Sequence, residues 1–247
     1  MIPKIIHYCW FGGNPLPESA KKCIASWRKF LPDYEIKEWN ESNFDVNIIP
    51  YTAEAYKAKK YAFVSDYARF YILYKYGGLY FDTDVEVIRN MDDIIARGPF
   101  MGCEGEAKQS MNGARDKATT LGVAPGLGLY KEILDIYDIK HFIMPNGSFS
   151  AENVVTITTD LLVAKGLKSV NEIQEVAGVW IYPKEYFCPL SNRTKEFKVT
   201  ENTRSIHHYD GTWLPKKQKI AMWIKMHMGT SIFDLLCKIQ KIFLTFK

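Results

Sequence analysis

The stretch YGGLYFDTDVEV, residues Tyr76–Val87, decides how the fold is predicted. A helical pattern precedes it, and Gly77 is a natural C-cap for that helix. The apolar run after Gly78 is typical of a buried strand. Asp82 and Asp84 follow at the end of this strand, although aspartate is a poor strand former. Their position raises the question of what two carboxylates do there.

Predicted strands and helices alternate along the chain on both sides of this stretch. The strand patterns are KIIHYCWFGG, YEIKEWN, LYFDTDVEVI and GVWIYPKEYFCP. The helical patterns are PLPESAKKCIASWRKFLP, AEAYKAKKYAFVSDYARFYILYKYGG, LGLYKEILDIYD and NVVTITTDLLVAKG. Such alternation predicts an α/β sandwich with a largely parallel sheet. Ligands in these folds bind beyond the carboxyl ends of the strands, where the two aspartates would lie.

Composition argues against several classes of protein. The net charge of +4 over 247 residues is too small to indicate nucleic-acid binding. The five cysteines contain no C-x-x-C pair, which disfavours a disulfide framework or a structural zinc site and favours a reducing compartment. No apolar run has the length of a signal peptide core or a membrane span. We therefore expect a cytoplasmic protein.

The spacing of Asp82 and Asp84 suggests a cation. Residues two apart in a strand face the same way, so both carboxylates would lie on one side. Adjacent anions repel unless a cation or protonation relieves them. Mg²⁺ or Mn²⁺ would do so through oxygen ligands and could also hold a diphosphate. A solvated turn with two surface acids explains this motif alone equally well.

A second pair of charges precedes the motif. Asp66 and Arg69 lie three residues apart on one face of the predicted helix. The break at Gly77–Gly78 lets that helix turn directly into the strand, so all four charged side chains could converge. Taken alone, Asp66 and Arg69 also fit an ordinary surface ion pair.

The segment SDYARFYILYKYGGLYFDTDVEV resembles the D-x-D signature of retaining sugar-nucleotide glycosyltransferases. That group includes yeast-type initiating mannosyltransferases, bacterial capsular polysaccharide glycosyltransferases and the catalytic domains of clostridial glucosylating toxins. IPKIIHYCWFGG resembles the first strand of the family and SIHHYDGTW its closing loop. The resemblance implies a GT-A fold, in which helices flank a Rossmann-like mixed sheet. It also implies a nucleotide-sugar donor, most simply a UDP-sugar, and retention of anomeric configuration.

The same resemblance assigns residues to the donor. Trp10 would stack on the base, and Tyr80 would help line the donor site. Asp66 and Arg69 would hold the sugar and its leaving diphosphate, which Trp213 would also contact. The competing explanation for Trp10 is core packing, because tryptophan is highly buried on average. For Tyr80 it is packing within the strand.

Metal binding is implied by the resemblance in the same way. Asp84 would bind Mn²⁺ or Mg²⁺ directly, and Asp82 would reach the ribose or a metal-bound water. His208 would be a further ligand, because HYDGTW resembles an H-x-x-G loop of related transferases. His207 stays open as the alternative, and either histidine could instead be an ordinary polar residue. Imidazole is compatible with Mn²⁺.

The end of the chain differs in character from the rest. We expect residues 1–215 to form the transferase domain and residues 216–247 to form a basic, amphipathic helical tail. The tail has seven lysines and a single acid, Asp234. A helix with one apolar and one basic face can lie in a membrane interface. This predicts a peripheral enzyme at the inner face of the membrane with a lipid-linked saccharide acceptor, although the tail could also pack on the domain.

Two other functions fit part of the sequence. LYFDTDVEV also matches the strand of haloacid-dehalogenase-type phosphatases, in which Asp82 would be the nucleophile and Asp84 the general acid. That strand usually opens its fold, whereas about 80 residues precede it here. A non-catalytic module that binds membranes would explain the tail and leave the four charged residues unexplained.

Overall fold

The computed structural model describes residues 1–103, 120–150, 152, 154–190 and 197–211. Met1–His208 forms one compact unit. Its strands are β1 (Ile5–Cys9), β2 (Glu35–Trp39), β3 (Gly78–Phe81), β4 (Val85–Val87), β5 (Phe100–Gly102), β6 (Thr120–Val123), β7 (Gln174–Val176), β8 (Val179–Tyr182) and β9 (Ser205–His207). Its helices are α1 (Glu18–Phe30), α2 (Pro50–Lys57), α3 (Tyr61–Tyr76), α4 (Asp92–Arg97), α5 (Gly128–Asp138) and α6 (Val154–Ala164).

Seven strands form one mixed sheet in the order β2-β1-β3-β6-β5-β8-β7. The pairs β1–β2, β1–β3 and β5–β8 are parallel, whereas β6 and β7 run antiparallel to their neighbours. A second, two-stranded sheet pairs β4 with β9. The predicted α/β class with a mixed sheet and flanking helices is confirmed. The predicted tail, residues 216–247, lies outside the described residues, as does its boundary with the domain.

Two apolar layers cover the two faces of the large sheet. Alternate residues of β3 show the division, because Tyr80 packs in one cluster while Leu79 and Phe81 pack in the other. Helices α3 and α5 supply the first layer, and α1 supplies Trp27 to the second. This is the period-two burial expected of a strand covered on both faces. Of the helices described, none is long and apolar enough to cross a membrane.

The turn between α3 and β3 requires both of its glycines. Gly77 ends α3 with a φ of 65°, and Gly78 follows with a φ of 100°. Both values lie in the region that side chains rarely adopt. A Cβ at Gly78 would also lie 2.6 Å from the carbonyl oxygen of Ile5 on β1. The glycine pair therefore lets β3 leave the helix and enter the sheet beside β1.

The prediction of one continuous strand through LYFDTDVEVI is wrong. β3 ends at Phe81, and the backbone N–H of Val85 donates to the carbonyl oxygen of Asp82 over 3.0 Å. β4 then leaves the large sheet and pairs with β9. Asp82 and Asp84 thus lie in a tight turn between two sheets, and strand alternation does not set their directions. The weak strand propensity of aspartate is consistent with this break.

His7 is a buried polar residue on β1, the second strand from one edge of the large sheet. Its Nε2 lies 2.9 Å from the carbonyl oxygen of Gly77, and its Nδ1 accepts a hydrogen bond from Trp39 Nε1 over 3.0 Å. This arrangement requires a neutral ring with its proton on Nε2. Burial lowers the pKa of His7 from its usual 6.5 to about 4.

We expect stability to fall as the pH drops from about 6.5 towards 4, because the unfolded chain binds the proton that folded His7 refuses. Urea unfolding at about pH 4.5 should show that His7 lowers the free energy of unfolding by roughly 2–3 kcal/mol relative to neutral pH. The His7→Gln variant, which has no titrating ring, should show a flatter pH dependence than the wild type. His141→Gln is the control, because that side chain is 62% exposed. Equal pH dependence of wild type and His7→Gln would contradict the assignment.

Candidate active site

The ends of two neighbouring parallel strands place the candidate residues at one edge of the sheet. β1 and β3 are aligned with His7 opposite Tyr80. Trp10 follows the end of β1, and Asp82 follows the end of β3. This is the edge at which α/β sheets bind their ligands. The predicted location of the site is therefore reproduced by the topology.

Arg69 lies between two carboxylates and is the centre of the site. Its Nη2 is 3.0 Å from Asp66 Oδ1 and 3.3 Å from Asp82 Oδ1, and its Nη1 donates to Asp82 Oδ2 over 3.3 Å. The side chain of Arg69 is 8% exposed, whereas those of Asp66 and Asp82 are 14% and 25% exposed. The two-point contact with Asp82 uses the planar fork of the guanidinium. Three of the four predicted charges thus converge, and the explanation of an exposed surface pair is excluded.

The surroundings hold Arg69 in its charged form. Burial alone would lower the pKa of Arg69, but Asp82, Tyr80 and Asp66 together raise it well above its usual value. Its guanidinium carbon lies 4.9 Å from the centre of the Tyr80 ring, and its Nε donates to the carbonyl oxygen of Ser65. Tyr80 is 1% exposed, so its ring packs against the guanidinium from the buried side. Its predicted contact with a donor stays a prediction.

Asp84 contacts a different partner from Asp82. Its Oδ1 lies 3.2 Å from Nε2 of His207, whose side chain is 9% exposed. Pairing of β4 with β9 brings the two together, since Val85 lies opposite His207. The backbone N–H of the next residue, His208, donates to the carbonyl oxygen of Asp84 over 2.9 Å.

The side chain of His208 points elsewhere. Its Nε2 lies 2.8 Å from Glu86 Oε2, and both side chains are about two-fifths exposed, at 40% and 41%. Of the two histidines that the sequence left open, His207 is the one whose ring lies beside the Asp84 carboxylate. His207 is the last residue of β9 and His208 the first beyond it, so the two rings leave the chain at the point where the strand ends. The ligand role predicted for His208 stays a prediction.

The side chains that could bind a metal ion are too few to enclose it by themselves. They suit a cation that is shared with a diphosphate. Within the part of the chain that the structure describes, no group of three or more His, Cys, Asp or Glu side chains is arranged to hold a metal ion. Asp84 and His207 supply one carboxylate and one imidazole at 3.2 Å. Mg²⁺ and Mn²⁺ commonly use one or two protein carboxylates and take further oxygens from substrate phosphates. Such a set is compatible with Mn²⁺.

Trp10 lies at the same edge, half-buried after β1. Its Nε1 donates to the carbonyl oxygen of Asn14 over 2.6 Å, which fixes the ring against the following loop. Part of the ring packs on the apolar cluster of α1, and part remains accessible. The position suits the predicted stacking on a base without excluding the role in packing. Trp213 lies outside the described residues.

Two supporting residues escaped the sequence analysis. Trp27 on α1 is fully buried and donates from Nε1 to the carbonyl oxygen of Val85 over 2.7 Å, which anchors the turn that carries Asp84. Cys9 ends β1, and burial raises its pKa to about 12, so it is an inert thiol beside Arg69 and Tyr80. Trp27 looked like an ordinary helix residue because its hydrogen bond spans 58 positions of sequence.

Comparison with known proteins matches part of the chain to a glycosyltransferase family. Residues 17–101 match the family described as "Glycosyltransferase sugar-binding region containing DXD motif". This segment contains Asp66, Arg69, Tyr80 and both aspartates of the motif, whereas Trp10 and the two histidines lie outside it. The phosphatase alternative finds no support in these matches.

The alignments with individual relatives span only part of this chain and part of each relative. Inositol phosphoceramide mannosyltransferase 3 of Schizosaccharomyces pombe is 36% identical over 98 residues, which are 38% of this chain and 27% of that protein. Uncharacterized glycosyltransferase L373 of Acanthamoeba polyphaga mimivirus is 34% identical over 106 residues, which are 40% of this chain and 42% of that protein.

The matched regions therefore span less than half of the length of these relatives. Among solved structures, the PaToxG glycosyltransferase superposes with a TM-score of 0.48 at 18% identity, over 67% of this chain and 69% of that one. The resemblance to DXD-containing glycosyltransferases that was found in the sequence is confirmed over residues 17–101, which match the model of that family.

Proposed function

We propose that this protein is a metal-dependent, retaining glycosyltransferase that moves a sugar from a UDP-sugar to a saccharide acceptor in polysaccharide biosynthesis. The observation that carries the proposal is the buried Arg69, held by Asp66 and Asp82 at the edge where β1 and β3 end. Buried charges with strongly perturbed pKa values cluster at functional sites, and the pKa of Arg69, raised well above its usual value by its neighbours, fits that pattern. The match of this segment to the sugar-binding region supplies the reaction class.

Transfer breaks the bond between the anomeric carbon and a phosphate oxygen, so negative charge grows on the leaving diphosphate. Arg69 supplies a fixed positive charge there, and its carboxylate partners keep it oriented, so little reorganisation is needed during reaction. Asp84 with His207 or His208 would hold Mn²⁺ or Mg²⁺, which when bound would neutralise further phosphate charge. Asp66 and Asp82 would accept hydrogen bonds from sugar or ribose hydroxyls. The acceptor hydroxyl is then chiefly positioned.

We propose retention of anomeric configuration because the family resemblance implies it, and the carboxylates bear on how it would be achieved. Asp66 and Asp82 are both bound to Arg69, and Asp84 is bound to His207, so each of these carboxylates is already oriented by a partner. A covalent nucleophile would need one of them to leave its partner and face the anomeric carbon. We therefore propose substitution on the same face of the sugar, with the leaving phosphate assisting the incoming hydroxyl.

For the acceptor, we propose a lipid-linked saccharide used by a peripheral enzyme at the cytoplasmic face of a membrane. The name of the S. pombe relative specifies a lipid acceptor, inositol phosphoceramide. The basic and apolar pattern of residues 216–247 is typical of a segment that lies in a membrane interface. Neither observation identifies the sugar or the linkage.

A donor screen tests the proposal most directly. The full chain is incubated with Mn²⁺ and separate UDP- and GDP-sugars, and nucleotide release is followed with and without saccharide acceptors. We expect release from one UDP-sugar, metal-dependent and increased by an acceptor. Product analysis by NMR then reports whether the anomeric configuration is retained. Absence of release from every nucleotide sugar, together with turnover of a phosphate monoester, would contradict the proposal.

Replacing Trp10 by alanine should weaken UDP binding, because the base would lose its stacking surface. A stacked base contributes roughly 1–3 kcal/mol in single-strand nucleic-acid sites, and we expect a loss of this size in calorimetric titration with UDP. Trp180→Ala is the matched control, since Trp180 is also half-buried and stacks on Arg97 away from the site. A Trp10→Ala variant that binds UDP normally, or that simply unfolds, would assign Trp10 to the core.

Separate replacement of the two histidines should identify the second metal ligand. The geometry favours His207, so His207→Ala should raise the concentration of Mn²⁺ needed for half-maximal activity by tenfold or more, as loss of a ligand or its support typically does. His208→Ala should remove only the exposed contact with Glu86. Manganese titration of both variants in the presence of UDP gives the comparison. The reverse order of effects would establish His208, as the sequence predicted.

A further inference from the structure

A short hairpin after α5 exposes apolar side chains that no element of the described structure covers. Ile143 pairs with Phe149 across the hairpin, and the backbone N–H of Met144 donates to the carbonyl oxygen of Ser148 over 2.8 Å. Ile143, Met144 and Phe149 are 40%, 44% and 49% exposed. Three large apolar side chains on one protruding turn form a patch, unlike the single exposed residues common on soluble proteins. We call residues 141–150 the apolar hairpin.

The base of the apolar hairpin is rigidly attached. Phe142 is fully buried, and its ring stacks on Phe149 with centroids 5.0 Å apart. Glu54 on α2 accepts the backbone N–H of Ile143 and contacts His141 Nδ1. The exposed tip, residues 145–148, is polar apart from Pro145, so the apolar side chains lie on the two arms of the hairpin. Arms that are already held at their base lose little ordering entropy when they bind a surface.

Positive charge lies beside Phe149, on the second arm of the hairpin. The end of α2 and the following turn carry Lys57, Lys59 and Lys60, and the ammonium group of Lys60 is 5.4 Å from the centre of the Phe149 ring. No acidic side chain in the described ranges forms an ion pair with any of the three. Apolar side chains flanked by lysines complement an anionic bilayer, where the rings and chains enter the interface and the lysines contact the head groups.

A series of contacts links the apolar hairpin to the loop after β1, which belongs to the proposed donor site. Lys60 is followed by Tyr61, the first residue of α3, which also carries Asp66 and Arg69. The Tyr61 ring fills the space beside Gly12, where a Cβ would lie 2.4 Å from it, and Gly12 follows Trp10 in the loop after β1. Lys60 and Tyr61 thus link the hairpin to the loop that we propose contacts the nucleotide.

We propose that the apolar hairpin, together with Lys57, Lys59 and Lys60, docks this protein on an anionic lipid bilayer. The contact uses residues other than 216–247 and would present the edge that holds the candidate active site to a lipid-linked acceptor. That last consequence rests on the proposed function, whereas the docking itself does not. Lipid binding and sugar transfer can therefore be tested independently.

Flotation of the full chain with vesicles tests the docking, in the absence of donor or metal. Phosphatidylcholine vesicles with and without phosphatidylglycerol are compared for the wild type and for the double variant Ile143→Ser with Phe149→Ser. Both residues are about half exposed, so the fold should survive, which thermal unfolding checks. Losing two half-buried apolar contacts should reduce partitioning by about tenfold to thirtyfold. Lys59→Glu, which reverses one charge, should reduce it by about fivefold or more on anionic vesicles only.

Val199→Ser is the matched control, since Val199 is 41% exposed and belongs to the segment that packs beside Arg89 and Glu185. It should float as the wild type does. Hydrogen exchange gives a local readout, because amides of residues 143–149 should be protected by anionic vesicles in the wild type. Because residues 216–247 could float the double variant by themselves, the local readout decides: unprotected amides at residues 143–149 in the vesicle-bound wild type, or no flotation of the wild type, would overturn the proposal. Failure of sugar transfer with normal flotation would instead count against the proposed function.

Discussion

The Asp84→Asn variant should lose sugar transfer by at least about a hundredfold while keeping its fold. The physical reason is loss of the carboxylate charge beside His207, which we propose binds the cation. Removing one preorganised group that stabilises developing charge typically costs 10²–10³ in rate, roughly 3–4 kcal/mol. Nucleotide release from the UDP-sugar found in the donor screen is the measurement. Binding of Mn²⁺ in the presence of UDP, followed by electron paramagnetic resonance, should fall in parallel.

Asp33→Asn is the control, because that side chain is 75% exposed and pairs only with Lys4 on the surface. It should transfer sugar at the wild-type rate. Wild-type activity should disappear in excess chelator and return with Mn²⁺ or Mg²⁺. Transfer by Asp84→Asn at the full rate in excess chelator would show that neither the carboxylate nor a cation is needed.

Local patterns predicted the architecture well. β1, α1, β2 and the end of α3 lie where apolar periodicity, prolines and Gly77 placed them. These signals are local, since a helix cap or an apolar run acts through its immediate neighbours. The antiparallel insertion of β6 between β3 and β5 was not readable, because nothing in four residues specifies which strand they pair with. The mixed sheet was reached only through the family resemblance.

The convergence of the candidate residues was predictable only in part. Asp66, Arg69 and Asp82 converge as expected, because the helix spacing and the glycine turn are both local features. The pairing of Asp84 with His207 depends on the register of β4 and β9, which lie about 120 residues apart. Sequence spacing could not separate His207 from His208, since a shift of one residue in a strand exchanges the face. Only the register resolves which ring lies beside Asp84.

The Arg69→Ala variant should be both inactive and strongly destabilised. Arg69 is buried, and its removal would leave Asp66 and Asp82 mostly buried without their counter-charge. Breaking a buried ion pair by removing one partner costs roughly 3–5 kcal/mol, which urea unfolding would measure at neutral pH. Lys131→Ala is the control, because its ion pair with Asp135 is half exposed and should contribute less than about 1 kcal/mol. Stability of Arg69→Ala within that same range would show that the three charges are not coupled.

A triple variant separates the structural role of these charges from the functional one. Arg69→Met combined with Asp66→Asn and Asp82→Asn removes all three charges at nearly constant volume. Neutral replacement of a buried ionic cluster is often harmless to stability, so the triple variant should recover at least about 2 kcal/mol relative to Arg69→Ala. Sugar transfer should stay absent, because the variant lacks the Arg69 charge that would stabilise the leaving diphosphate. It also lacks the carboxylates that would accept hydrogen bonds from sugar hydroxyls. Recovery of both stability and transfer would mean that the cluster serves only to hold α3 against β3, and that the chemistry takes place elsewhere in the protein.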